Sequence, residues 1–236
     1  MNGLIIFLGE SFRLGNQGTR NRGSPESYTE QIKACNSHIS FIEQITSSYN
    51  LNSVSVYITS YTTQYDNDLL MVYEKYLIGN DLYNDVIDIT ALLHNTINKI
   101  DNIDQYDFIK IIRIDLFLKQ HFIDIFNPTI NMILFPSVCW KLGYKVGIHP
   151  RINSVMLFIP KKYYGYIKYI TNFGHNMWYD FMECTDLTYD DMDTIINTYH
   201  DSDSFKDFNP LYYIVNRRET NRHYSRGYIF DKYNFT

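Results

Sequence analysis

The chain has 236 residues, 45% hydrophobic and 20% charged, so it is long enough to bury a real core as one large domain or two small ones. Its 21 basic and 26 acidic residues give a net charge of -5, the wrong sign for a general duplex-binding protein, and nucleic acid is not an expected partner. Three scattered cysteines, Cys35, Cys139 and Cys184, contain no CxxC, so neither a disulfide framework nor a zinc site is suggested and a reducing compartment fits best.

Leu4 to Leu8, LIIFL, is too short for a signal-peptide core and lacks a basic flank. No segment is long and apolar enough to span a bilayer, so an intracellular protein without a membrane span is expected. Aromatic residues reach 17%, with 22 tyrosines. Tyrosine can stack on sugars or bases, but most of these rings are expected in the core.

GLIIFLG reads as a short buried strand. A polar loop follows, Glu10 to Gly23, carrying Arg13, Arg20 and Arg22 among several glycines. It is neither a Walker loop nor GxGxxG, yet arginines before a helix start suit an anion. Ser24 and Pro25 are suited to open a helix, and Tyr28, Ile32, Cys35, Ile39 and Ile42 give it one apolar face.

VSVYITS, Val54 to Ser60, is the next strand. Helices are expected over about Leu69 to Leu77 and Ile87 to Ile100, then a third strand, YDFIKIIRID, ending at Asp115. Strand and helix alternate, which predicts a parallel sheet with right-handed crossovers. Beyond that the pattern is less regular. INMILFPS (130–137) and SVMLFIP (154–160) read as strands, while KKYYGYIKYITNF and Thr188 to His200 read as helices. The expectation is one α/β domain with a mostly parallel central sheet flanked by helices.

Ligands of open α/β sheets bind at the carboxyl ends of the strands. Three such ends are Gly9-Glu10-Ser11, Thr59-Ser60-Tyr61 and Arg113-Ile114-Asp115. Alternate residues of a strand share a face, so Arg113 and Asp115 point the same way. Asp115 suits Mg²⁺ or Mn²⁺, and equally a structural ion pair or a helix N-cap. The tail NRRETNRHYSRG holds Arg218, Arg222 and His223 in a basic island, either a solvated tail or a diphosphate site with His223 as metal ligand or phosphate donor. Asp180 and Glu183 lie near Trp178, where a carboxylate beside an aromatic suits a sugar acceptor, although a solvated helix face is the commoner meaning.

DFIKIIRIDLFL resembles the RxRxD or RPD segment of a group of GT-A-type glycosyltransferases from bacterial surface-polysaccharide clusters and large DNA viruses. HPRINSVMLFIPKKYY is similar to a strand and Pro-Lys-Lys turn of that group. IIFLGESFRLGNQGTRNRGSPESY and NPLYYIVNRRE resemble its viral members, the chlorella virus capsid glycosyltransferases.

The resemblance implies a single GT-A-like domain with a Rossmann-like nucleotide-sugar half, about residues 1–118, and an irregular acceptor half, about 119–236. It implies a nucleotide-sugar donor, a UDP-sugar in the first place, a glycan or glycoprotein acceptor, and Mn²⁺ or Mg²⁺ on the diphosphate. Asp115 and His223 would then bind metal. Gly9, Glu10, Ser11, Arg13, Thr59, Ser60, Tyr61, Arg113, Arg218 and Arg222 would hold the donor, and Asp180 and Glu183 would serve catalysis. The implied location is the host cytoplasm or the virion.

Two departures stand out. Arg113 replaces the first acid of a DxD, and Asn153-Ser154 stands where relatives carry an acidic residue. The second favours a non-catalytic nucleotide-sugar or glycan-binding virion protein of the same fold. A nucleotidyltransferase is a further rival, but it needs more carboxylates beside Asp115.

Overall fold

A computed structural model describes residues 1–15, 21–135, 156–170, 186–187, 192–194 (backbone only) and 211–215. The expected α/β architecture is present. Strand β1 (Asn2–Leu8) is apolar on both faces and lies at the centre of the sheet. A short hairpin, β2 (Arg13–Leu14) and β3 (Asn21–Arg22), follows it and leads into helix α1 (Pro25–Ser48). Next come β4 (Ser53–Tyr61), α2 (Asp66–Tyr73), β5 (Leu77–Tyr83), α3 (Ile89–Lys99), β6 (Phe108–Arg113) and β7 (Leu116–Leu118). The last strands are β8 (Ile133–Phe135), β9 (Met156–Pro160), β10 (Met192–Thr194) and β11 (Tyr212–Ile214).

Seven strands form the main sheet in the order β10-β8-β9-β6-β1-β4-β5. β1 pairs in parallel with both β4 and β6, and β4 in parallel with β5. β9 runs antiparallel to both its neighbours, while β10 is parallel to β8. The sheet is covered on both sides. Ile5, Phe7, Val56, Ile58, Phe108 and Ile112 face the cluster under α1 and α2. Leu4, Ile6, Leu8, Ile109, Ile111 and Leu157 face the cluster that includes Leu92 and Leu93 of α3. Burial on both faces explains why β1 and β6 read as continuous apolar runs.

Three expectations need correction. The helix expected to Leu77 stops at Tyr73, and the polar stretch LIGNDLY is strand β5. Its backbone pairs with the outer edge of β4, and that ladder overrides its weak strand propensity. The helix expected over Thr188 to His200 contains a strand, Met192–Thr194, paired with the edge of β8. The segment Lys161–Tyr169 is helical but tighter, a 3₁₀ helix.

Two buried basic groups mark the α1 side of the sheet. His38 of α1 is fully buried and stacks on Phe7 with ring centroids 4.3 Å apart. Its Nε2–H donates to the Leu116 carbonyl at 2.6 Å, which fixes the tautomer, and Nδ1 accepts from the Tyr73 hydroxyl at 2.5 Å. Desolvation holds its pKa down at about 4. Lys110 lies mid-strand in β6, opposite Ile5 and Phe158, fully buried, with no hydrogen-bond partner for Nζ among the described residues. Burial lowers its pKa to about 7.

Both groups give the stability a pH signature. His38 is protonated in the unfolded chain below its ordinary value near 6.5 and stays neutral in the fold down to about 4. Its contribution is therefore intact above 6.5 and is lost as pH falls to 4, on the order of 3 kcal/mol. Urea titrations between pH 7 and 4.5 should show a steeper loss for wild type than for His38→Gln. Lys110 works the other way. Its unfolded form stays charged up to about 10.5 while the folded form is neutral above about 7, so stability rises with pH across that window. Lys110→Met is expected to stabilise the fold at pH 7 by a few kcal/mol, an advantage that vanishes near pH 10.5.

Candidate functional site

Parallel pairing brings the carboxyl ends of β4, β1 and β6 side by side, with Leu8 opposite Thr59 on one side and Arg113 on the other. The β1 backbone leaves the sheet at Gly9, whose φ of +125° suits only glycine. Its N–H donates to the Thr59 carbonyl at 3.0 Å, and among the described residues a Cβ there would meet nothing within 4 Å. Gly9 is itself buried, so the turn at the end of β1 is enclosed.

Glu10, Ser11 and Arg13 are buried just beyond. Arg13 Nη1 donates to Glu10 Oε2 at 2.6 Å and its Nε to the Gly15 carbonyl at 3.1 Å. Its Nη2 is buried with no hydrogen-bond partner among the described residues. The hydroxyls of Ser11 and Ser60 lie 2.8 Å apart, and the Ser11 N–H donates to Ser60 Oγ at 3.1 Å. This pair stitches the β1 loop to the end of β4.

The alternation of β4 separates its three predicted residues. Ser60 faces the β1 loop. The Thr59 hydroxyl contacts that of Thr96 on α3 at 2.5 Å, and the Tyr61 hydroxyl donates to the Ile87 carbonyl at 2.5 Å. Thr59 and Tyr61 thus anchor the strand end to its other flank. The Arg22 guanidinium lies over the Tyr61 ring, 4.5 Å from its centroid.

β6 ends at Arg113, and the chain turns through Ile114 and Asp115 into β7. Arg113 Nε donates to Asp115 Oδ1 at 2.9 Å and Nη2 to Oδ2 at 2.5 Å, a two-pronged fork. The side chains are 14% and 5% exposed, so this ion pair works in a shielded setting where charge-assisted bonds are strong. The shared face predicted for these residues is therefore realised as direct pairing. The turn is further held by Ile114 N–H to the Leu8 carbonyl at 3.1 Å and by Val215 N–H to the Asp115 carbonyl at 2.9 Å.

Mg²⁺ and Mn²⁺ are hard cations that take carboxylate and phosphate oxygens. Asp115 brings a carboxylate to this edge, buried and with both oxygens engaged by Arg113. No group of three or more His, Cys, Asp or Glu residues that could hold a metal by itself occurs among the described residues. Asp180, Glu183, Arg218, Arg222 and His223 lie outside the described residues.

Two buried polar residues of α1, Gln31 and His38, reach the Asp115 turn and were not expected there. Gln31 accepts from Phe12 N–H at 3.2 Å and donates to the Ile114 carbonyl at 2.8 Å. The available signal was their seven-residue spacing, which places two polar groups on one face of an otherwise apolar helix side.

No protein-family model matches the sequence, and no curated protein matches it. Among solved structures the chain is similar to a mutant Drosophila β1,4-galactosyltransferase 7 crystallised with manganese, UDP-Gal and xylobiose. That similarity has 9% identity, covers 97% of this chain and 78% of that one, and has a TM-score of 0.46. It is also similar to the CTP:phosphocholine cytidylyltransferase of Streptococcus pneumoniae, at 16% identity over 82% and 89% of the two chains with a TM-score of 0.45. A third is the 4-diphosphocytidyl-2C-methyl-D-erythritol synthase of Anaerococcus prevotii, at 10% identity over 84% and 88% with a TM-score of 0.49. The neighbours thus include both glycosyltransferases and nucleotidyltransferases. No helix among the described residues is long and apolar enough to cross a membrane.

The Glu10–Arg13 pair is a sharp stability test. Glu10→Gln leaves a buried guanidinium with its charge uncompensated, and a loss of about 3 kcal/mol in urea unfolding is expected. Glu30→Gln, which breaks a largely exposed pair with Lys33, should change stability by less than about 1 kcal/mol.

Proposed function

We propose that the chain is a metal-dependent glycosyltransferase that moves a sugar from a nucleotide-sugar donor, a UDP-sugar in the first place, to a glycan or glycoprotein acceptor. The observation that carries this reading is the meeting of three strand ends at one edge. They bring together the glycine turn at Gly9, a paired Ser11 and Ser60, arginines at 13 and 22, and a carboxylate at Asp115. This is a donor-binding set with little built-in nucleophile chemistry, as expected where positioning and charge neutralisation dominate.

In this reading the β1 loop and Ser60 receive the nucleotide, and Arg13 stays oriented by Glu10. Asp115 holds the divalent cation, which when bound supplies charge neutralisation on the departing diphosphate. Arg113, adjacent to that carboxylate, adds a second positive charge for the phosphates. Arg218, Arg222 and His223 would complete the phosphate side, and Asp180 or Glu183 would act as base toward the acceptor. The viral type and host location implied by the resemblance belong to the same reading.

A non-catalytic nucleotide-sugar or glycan-binding protein is the second reading. The Arg113 fork favours it, because both Asp115 oxygens already accept hydrogen bonds within the chain.

The test is thermal unfolding with UDP and a panel of UDP-sugars, with and without Mn²⁺, for wild type, Asp115→Asn and Asp115→Ala. A ligand at a hundredfold excess over Kd stabilises the fold by about 2.7 kcal/mol. A Mn²⁺-dependent rise in Tm that both variants lose supports the donor site, and hydrolysis or transfer of the bound UDP-sugar then separates enzyme from binder. If folded wild type gives no shift with any nucleotide, the glycosyltransferase reading is wrong and Arg113–Asp115 is a structural pair.

A further inference from the structure

We propose that Gln31 and His38 are positioning residues that bracket Asp115 from α1 and set its carboxylate relative to the β1 loop. The inference deepens the donor-site reading, on which its metal-dependent consequence rests.

The chemistry of the contacts is unambiguous. Phe12 presents an N–H and can only donate, while Ile114 presents a carbonyl and can only accept. The Gln31 amide must therefore turn its oxygen to Phe12 and its NH₂ to Ile114, as found at 3.2 and 2.8 Å. Seven residues along α1, the His38 Nε2–H donates to the Leu116 carbonyl at 2.6 Å. The carbonyls on either side of Asp115 are thus each held by a fully buried side chain of one rigid helix.

Gln31 also reaches the other half of the site. Phe12, its second partner, has a left-handed φ of +48°, uncommon for a bulky residue and maintained only where surrounding contacts enforce it. One side chain thus ties the loop after β1 to the turn after β6. His38 is oriented in turn by Tyr73 and by stacking on Phe7. The core under α1 therefore reaches the backbone on either side of Asp115 through two hydrogen bonds. Neither residue is placed to touch a donor, so both act through Asp115.

The experiment uses Gln31→Met, which keeps volume and loses both bonds, and His38→Phe, which keeps the ring and loses the donor. His38→Gln, which restores a donor, is the rescue. UDP affinity is measured by calorimetry with and without Mn²⁺, and amide exchange is followed at Ile114 and Val215, whose N–H groups bond across the turn. The expected result in Gln31→Met and His38→Phe is a loss of roughly tenfold in the Mn²⁺-dependent gain in affinity, with metal-free affinity within about twofold. Exchange at the two amides should quicken by about tenfold against the core amides of β1, and His38→Gln should recover most of both effects.

Unchanged exchange at Ile114 and Val215, or quickening shared equally by all core amides, overturns the bracket. If exchange responds but the Mn²⁺-dependent gain does not, the bracket does not set the carboxylate and the proposal also fails. If wild type itself shows no Mn²⁺-dependent UDP binding, the donor-site reading falls, and the exchange comparison alone decides whether the bracket stands.

Discussion

The guanidinium of Arg113 and the carboxylate of Asp115 form a nearly buried ion pair where β6 leaves the main sheet. Two charges removed from water are tolerable only when their geometry is good and the surrounding backbone is held still. The fork meets the first condition. The second is met by hydrogen bonds that converge on residues 114–116 from β1, from Val215 and from α1. The β1 loop and the end of β4 reach the same edge because β1 pairs with both flanking strands in parallel.

The placement of polar residues inside α1 follows from this constraint. A helix packed on an apolar sheet face would ordinarily present only aliphatic and aromatic groups. Here Gln31 and His38 are fully buried, and each is satisfied by backbone groups or a side chain on another element. Lys110 is the contrast. It is equally buried, its Nζ has no hydrogen-bond partner among the described residues, and desolvation holds it toward the neutral form. The structure offers no physical reason for a lysine at that position.

Much of the edge was legible in the sequence. Glycine after an apolar run marks where β1 leaves the sheet, and Arg-x-Asp at the end of another run marks a paired face. The separation of Ser60 from Thr59 and Tyr61 is implicit in strand alternation, but which flank each side reaches is set by the seating of the β1 loop and α3. Strand β5 was not legible, because LIGNDLY has weak strand character and gains its conformation from the open edge of β4. The same cause makes a strand of Met192–Thr194.

The sequence by itself determined the α/β alternation, the buried runs of β1, β4 and β6, and the residues at their ends, because these follow from local periodicity and from glycine's backbone freedom. Only the tertiary structure decided that Arg113 grips Asp115, that Ser11 meets Ser60, and that Gln31 joins Phe12 to Ile114. These contacts cross 2, 49 and 83 residues. The shortest depends on how a turn is held, and the other two on sheet register and on the seating of α1, neither of which a local pattern encodes.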